Sequence, residues 1–313
     1  MDLLTAMNVF ARVAEHASFT AAAERLDITR GMATRHVAQL ERHLGARLLD
    51  RTTRRVSLTE AGAAYLERCR QVLTDIEEAE ALVCGDTAHP RGTLRITAAL
   101  SFGLRYLAPA IGEFLCRHPD VAVDLSFNDR VVDLVEEGFD LAIRIGDPGP
   151  ASLTARRIAS SGLQVCAAPA YWQQHGRPRT PAGLRTHATL LYSHGSAANE
   201  WQFSDARGEP HVVKLGTRLR ANNGDALVAA ATAGLGVVLQ PDFIVADTIA
   251  RGDLEAVLQD YRAPTLGVYA VFPTRRLVSA KVRVFVEFLA GRFRDPPWTT
   301  AAAQGSGAAP PGR

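Results

Sequence analysis

Between Ser18 and Gly62 the chain sets cationic and hydroxyl side chains at spacings suited to gripping an extended anion. From Arg25 to Arg55, the arginines 25, 30, 35, 42, 47, 51, 54 and 55 stand against three acids, Asp27, Glu41 and Asp50, in a protein whose formal net charge is +2. Neutralising phosphates supplies much of the affinity of a protein for DNA, so the local excess of cations matters more than the net charge. Thr29, Arg30, Gly31, Thr34 and Arg35 fall at the start of a helix-like run, where side chains reach base edges or adjacent phosphates, and Thr20 joins them from the run before. Arg51, Arg54 and Arg55 suit phosphate or the minor groove. Arg30 can pair bidentately with guanine, where glutamine would prefer adenine. A charge run alone is more often a solvated face. Here it coincides with a pair of capped helices.

Those helices follow from the pattern of the residues. Ala21 to Leu26 forms the first, with Ser18 or Thr20 as the capping oxygen, and Asp27-Ile28 turns the chain. Thr29 caps a second helix running to about Leu44, and Gly45 stands where a left-handed terminal residue is expected. Ala33, Val37, Leu40 and Leu44 share its inward face, opposite Arg30, Thr34, Arg35 and Gln39. Leu3, Met7, Phe10 and Ala14 make an amphipathic helix ahead of the pair, completing a three-helix core with Phe19, Ala22, Leu26, Val37 and Leu40. The layout is a helix-turn-helix with a basic wing. Thr59 then caps a long helix to about Cys84, with a heptad register through residues 62, 65, 69, 72, 76, 79 and 83. That stripe is too long for the small N-terminal domain to cover. It calls for a partner helix, from a second subunit or from the C-terminal domain.

The same string resembles the N-terminal domain of LysR-type transcriptional regulators. Phe10, the SFTAAAERL segment, Leu40-Glu41, Leu44-Gly45, Arg47-Leu48-Leu49, Arg51 and the run Leu58 to Gly62 carry the likeness over about 60 residues, and RTTRRVSLTEAG is similar to one large subgroup. Two positions depart from the family pattern: Thr34 replaces the usual serine, and Arg30-Gly31 replaces the frequent glutamine and proline. The resemblance implies an α/β protein with an N-terminal all-α winged helix-turn-helix (1–58), a dimerising linker helix and hinge (59–90), and a two-subdomain α/β effector domain (91–294) resembling periplasmic binding proteins. Its subdomains would take residues 91–162 with 267–294, and 163–266. It also implies promoter DNA, a small-molecule co-inducer, a dimer or homotetramer and RNA polymerase as partners, with no other cofactor.

The C-terminal sequence reads as alternating strands and helices. Strands are expected at Thr93–Ala99, Val121–Phe127, Asp140–Ile145, Leu163–Ala168, Leu190–Tyr192, Val212–Arg220, Gly236–Gln240 and Thr265–Phe272. Helices are expected at Leu104–Arg117, Val131–Glu137, Asp225–Ala233, Pro241–Ala250 and Ser279–Phe293, giving a parallel sheet with helices on its faces. Ligands of such sheets sit at the carboxyl ends of strands, against helix N-termini. Leu100-Ser101-Phe102-Gly103, Asn128-Asp129 and Asn222-Asn223-Gly224 occupy such places. By resemblance these, with Arg144 to Gly146 and Trp201, line the effector cleft. Ser101 and Asn223 also read as helix caps, and Trp201 reads equally as core. Free helix ends and Arg144 together favour a small anionic effector, such as an organic or aromatic carboxylate.

The rest of the sequence narrows the class by exclusion. At 313 residues with 47% hydrophobic content the chain allows about two domains with a buried core. Cys69, Cys84, Cys116 and Cys166 show neither metal-ligand nor disulfide spacing and read as buried thiols. No leader-like segment stands at the start, and the apolar run Ala226–Leu239 is too short to span a bilayer, which points to a reducing cytoplasm without membrane contact. The tail 295–313, rich in Pro, Ala and Gly, reads as disordered. Enzymatic motifs are missing: there is no GxSxG, P-loop or HExxH, and Gly234-Leu235-Gly236 precedes a strand rather than following one. His194, His211 and Asp205 form no motif-based triad, and His36 and His43 suit surface or phosphate contact. The sequence thus reads as a DNA-binding regulator, not an enzyme. The alternative is a cytoplasmic small-molecule binding protein without regulatory DNA binding.

Overall fold

The computed structural model describes residues 2–51, 56–83, 90–193, 199–274 and 278–299, in two compact units that part at His89 and Pro90. In the first unit α1 (Leu3–His16), α2 (Phe19–Arg25) and α3 (Arg30–Leu44) enclose a core of Phe10, Val13, Phe19, Ala22, Val37 and Leu40. Each start is capped by a side chain that accepts a free helix N–H. Asp2 accepts from Thr5, Ser18 from Ala21, and Thr29 from Met32. Asp27 and Gly45, at φ 51° and 66°, make the turns after α2 and α3. Leu44 departs from expectation. It is 38% exposed, in the last turn of α3 just before the Gly45 cap.

The strands β1 (Leu49–Arg51) and β2 (Val56–Leu58) pair antiparallel, and α4 (Glu60–Val83) follows. Glu41 holds this wing to α3, accepting the Leu48 and Leu49 N–H groups at 2.9 and 3.2 Å. Thr59 joins the wing to α4. Its hydroxyl donates to the Arg47 carbonyl at 2.7 Å and accepts the Gly62 N–H at 2.9 Å. Gly62 passes so close to the Leu48 carbonyl that any Cβ would collide with it. The motif residues of this segment are therefore joints of the fold. Along α4, Gly62, Leu66 and Cys69 are buried, and the Cys69 thiol donates to the Met7 carbonyl, whereas Val72 is 42% exposed.

The second unit contains two five-stranded sheets. One has the order β4-β3-β5-β14-β6, from β3 (Gly92–Ala98), β4 (Val121–Phe127), β5 (Leu141–Ile145), β6 (Leu153–Ser161) and β14 (Leu266–Pro273). The other has the order β11-β8-β12-β7-β13, from β7 (Leu163–Ala167), β8 (Thr189–Tyr192), β11 (Leu219–Ala221), β12 (Val237–Pro241) and β13 (Glu255–Val257). A hairpin, β9 (Glu200–Ser204) with β10 (Pro210–Lys214), stands apart from both. The chain passes from the first sheet to the second at Gly162 and returns before Leu266.

Helices α5 (Leu100–Phe102), a π turn (Gly103–Leu107), α6 (Ala108–Arg117), α7 (Pro169–His175), α8 (Gly224–Thr232), α9 (Asp242–Ala250) and α10 (Ala280–Arg292) connect or cover the sheets. No helix among the described residues is long and apolar enough to cross a membrane.

Several expectations are corrected. The sheets are mixed, not parallel, because β14 returns antiparallel to β5 and β6 while β12 runs antiparallel to β7. Residues 131–137 form a turn rather than a helix: the Asp133 carboxylate takes the Val135 and Glu136 N–H groups, and Gly138 at φ 71° ends the turn at once. The expected strand Val212–Arg220 is two strands in different sheets. Cys69 and Cys166 are buried but Cys116 is exposed, on the outward side of α6. Burial pushes the Cys166 thiol up to about 12. Cys84 lies outside the described residues.

The tail is not disordered from its first residue. Trp298 is 1% exposed, donates its indole N–H to the Ser160 carbonyl at 3.0 Å, and packs against Phe102, Tyr106, Phe243 and Phe293. One aromatic residue suffices to dock a segment poor in other apolar groups. Residues 300–313 lie outside the described residues.

Candidate functional site

Two surfaces carry the residues singled out by the sequence. On the first unit, Arg30, Gly31 and Arg35 are exposed along α3, and Thr20 is exposed on α2. No acid stands in the first turn of α3, and neither Arg30 nor Arg35 has a carboxylate partner among the described residues. Thr29 and Thr34 have local duties. Thr29 Oγ1 caps the helix by accepting the Met32 N–H at 3.2 Å, and the Thr34 hydroxyl donates to the Arg30 carbonyl at 2.9 Å. Both retain acceptor capacity for an outside donor. Met32, passed over in the sequence, is 47% exposed between Arg30 and Arg35. A long apolar side chain left in water beside two unpaired arginines was the available signal. Arg51 ends β1, and its side chain, with Arg54 and Arg55, lies outside the described residues.

On the second unit a cleft opens at the carboxyl ends of β3, β5, β8 and β12. It has two adjoining cavities that share Ala99, Asp129, Ile145 and Tyr192. The larger, about 350 Å3, is lined by Asn128, Arg130, Val132, Arg144 and Asp147, among others. The smaller, about 190 Å3, is lined by Ser101, Phe102, Gln240, Phe243 and Ile244, among others. Ser101, Phe102, Asn128 and Arg144 therefore line the cleft.

Gly146, Asn222, Asn223 and Trp201 line neither cavity. Gly146, at φ 86°, turns the chain after β5. Asn222 is exposed. Asn223 caps α8 through Ala226 N–H and donates its amide to Asp129 Oδ2 at 2.9 Å. Trp201 is a core residue, 6% exposed in the cluster with Tyr171, Trp172 and Phe203, because β9 belongs to the separate hairpin.

Most charged groups of the cleft are committed to other side chains or to nearby backbone. Asp129 Oδ1 accepts the Leu100 N–H at 3.0 Å, so α5 is capped by this distant carboxylate and not by Ser101. Ser101 Oγ donates to Asp225 Oδ2 at 2.6 Å, and Arg105 donates to Asp225 Oδ1 at 2.5 Å. Burial raises the Asp225 pKa, but these two donors outweigh it and hold the carboxyl below its ordinary value. Arg144 donates to the Pro148 and Val132 carbonyls, and burial lowers its pKa against the opposing charges of Asp147 and Asp133. Arg130 is spent on a bidentate pair with Glu137 at 2.9 Å. Burial, with the Asp129 charge, raises the Tyr192 phenol. The bonds Asn223–Asp129 and Ser101–Asp225 also tie the two sheets' flanks across the cleft.

The enzyme reading finds no support in geometry. Asp205 and His211 approach at 3.5 Å, but Asp205 serves the hairpin turn, accepting the Arg207 and Glu209 N–H groups. His194 lies outside the described residues. No group of three or more metal-ligating side chains occurs among the described residues.

Comparison with known proteins decides between the remaining classes. Residues 4–63 match the family described as bacterial regulatory helix-turn-helix protein, lysR family, and residues 87–294 match the LysR substrate binding domain. The chain belongs to the LysR family of transcriptional regulators. It is 38% identical over 282 residues to an uncharacterised HTH-type transcriptional regulator of Haemophilus influenzae, covering 90% of this chain and 98% of the relative. It is likewise 38% identical over 289 residues to an HTH-type transcriptional regulator of Xanthomonas campestris, covering 91% and 84%. The solved structure of CrgA, a LysR-type transcriptional regulator from Neisseria meningitidis, superposes with a TM-score of 0.58 at 33% identity, covering 92% of this LysR-family chain and 98% of CrgA. The family comprises DNA-binding regulators, not enzymes.

Proposed function

We propose that this LysR-family protein binds promoter DNA through α3 and the wing, as a dimer or dimer of dimers, and that a small molecule in the cleft modulates that binding. The observation that carries the reading is the solvent face of α3, where Arg30 and Arg35 stand exposed without carboxylate partners beside a first turn free of acids. In the major groove such a face offers Arg30 to guanine and Met32 to the methyl group of thymine. Arg35 and the wing residues Arg51, Arg54 and Arg55 serve phosphates. The exposed heptad position Val72 gives α4 apolar surface for a second subunit.

An anionic effector was the expectation from free helix ends. The ground for it is reduced, since Asp129 occupies the Leu100 N–H, Asn223 the Ala226 N–H, and two carbonyls share Arg144. The modulation reading rests instead on the cleft itself and on the bonds that cross it. Binding of labelled upstream DNA, measured with and without candidate ligands, tests both parts. Selective binding unaffected by any cleft ligand would refute the modulation, and absence of selective binding would refute the regulator reading.

A further inference from the structure

The smaller cavity holds a polar group that no other described residue satisfies. Gln240, on β12, is 3% exposed and lines this cavity, yet its side-chain amide has no hydrogen-bond partner among the described residues. Its ladder neighbour on β7, Gln164, does not answer it. That amide donates to Asp242 Oδ1 at 2.9 Å and accepts from Gln259 at 3.1 Å. Space is kept for Gln240 by Gly224 at the start of α8, where a Cβ would come within 2.7 Å of Gln240 Oε1 and 2.5 Å of Ile244 Cδ1. The described side-chain atoms that are both sealed from solvent and unpaired are those of His16, His36 and His187, so the unpaired Gln240 amide is in contact with the cavity space and open to whatever occupies it.

The surroundings say what would satisfy it. Phe102, Ile145, Leu239 and Phe243 make the walls apolar, and the sole charged lining residue among those described is Asp129, which already accepts two N–H groups. Among the described residues no cation lines this cavity to hold a carboxylate. At about 190 Å3 it is of the size that admits one ring, since a cavity of about 150 Å3 takes up benzene. Water would satisfy the amide but not the walls.

We infer that this cavity takes an uncharged molecule of single-ring size whose paired hydrogen-bond donor and acceptor, as in a carboxamide, are read by the buried amide of Gln240. The inference rests on the effector reading above and names the ligand class of that cleft. An amide both gives and takes a hydrogen bond, so it is matched by a ligand group that does the same, and charge is selected against while polarity is required.

The test is calorimetric titration of the full-length protein with benzamide, benzoate and benzylammonium, repeated on Gln240→Leu and Gln240→Met. Benzamide is expected to bind at least tenfold tighter than either ion. In the variants it should weaken at least tenfold, while the melting temperature without ligand is unchanged or higher. Absence of benzamide binding, an ion binding as tightly, or benzamide binding unchanged in a folded variant would each overturn the assignment. Selective DNA binding measured on the same preparations separates this failure from failure of the regulator reading.

Discussion

The carboxylate of Asp129 caps the backbone N–H of Leu100 at 3.0 Å, from a different strand and a turn 29 residues away in sequence. The helix end most open to the cleft is thus filled by an anion that the protein supplies itself. Removing it should narrow the preference for the uncharged ligand. Asp129→Ala is expected to improve benzoate binding about tenfold, by about 1.4 kcal/mol, and to lower stability by about 0.5 to 2 kcal/mol through the lost cap. Calorimetry and thermal melts measure the two effects. Unchanged benzoate affinity would show that the cap does not govern charge selection.

Met32 gives a prediction specific to base reading. Replacing each thymine of the operator with uracil removes one methyl group at a time. One position should cost the wild-type protein about 1 kcal/mol and cost Met32→Ala nothing. Equal losses in both proteins would assign that methyl to another side chain, and Thr34→Ser, which deletes a methyl and keeps the hydroxyl, shows whether it is Thr34.

Two glycines of the first unit should respond differently to alanine. At Gly62 a Cβ meets the Leu48 carbonyl, so Gly62→Ala must push α4 off the wing, at about 1 to 3 kcal/mol. At Gly45 there is open space but φ is 66°, and Gly45→Ala should cost about 1 kcal/mol from backbone strain alone. Denaturant melts of the two variants rank them. A milder effect at Gly62 would contradict the close approach.

Trp298 makes the C-terminal segment part of the effector unit. Trp298→Ala removes a buried indole and its bond to Ser160, and should destabilise by about 3 to 5 kcal/mol. Because Phe102 touches both Trp298 and the smaller cavity, ligand affinity should fall as well. A melting temperature within a degree of wild type would show that the segment is dispensable.

These residues also mark what a sequence can and cannot disclose. Thr29, Gly45 and Thr59 announce their elements, because caps and turns depend on neighbours within a few residues. The antiparallel return of β14 depends on pairing with β5 and β6 over more than a hundred residues, and local periodicity holds no record of it. Val131 and Val135 lie in the segment expected to be a short helix, Val131–Glu137. They are 79% and 61% exposed, since with no packing surface a single capped turn does not propagate. Trp201, which reads equally as core and as ligand wall, goes to the core, and Gln240, which reads only as the end of a strand, lines the cleft. Only the placement of β9 outside both sheets and of β12 at the cleft makes that visible.

Reading of DNA by the exposed face of α3 is tested by a salt titration. The purified protein is titrated onto the intergenic DNA upstream of its own coding sequence and onto random DNA, across a range of salt, alongside Arg35→Ala. The account predicts selective binding that weakens steeply with salt, and a variant that binds more weakly with a salt slope reduced by about one. Equal affinity for both DNAs, or a variant indistinguishable from wild type, would contradict it.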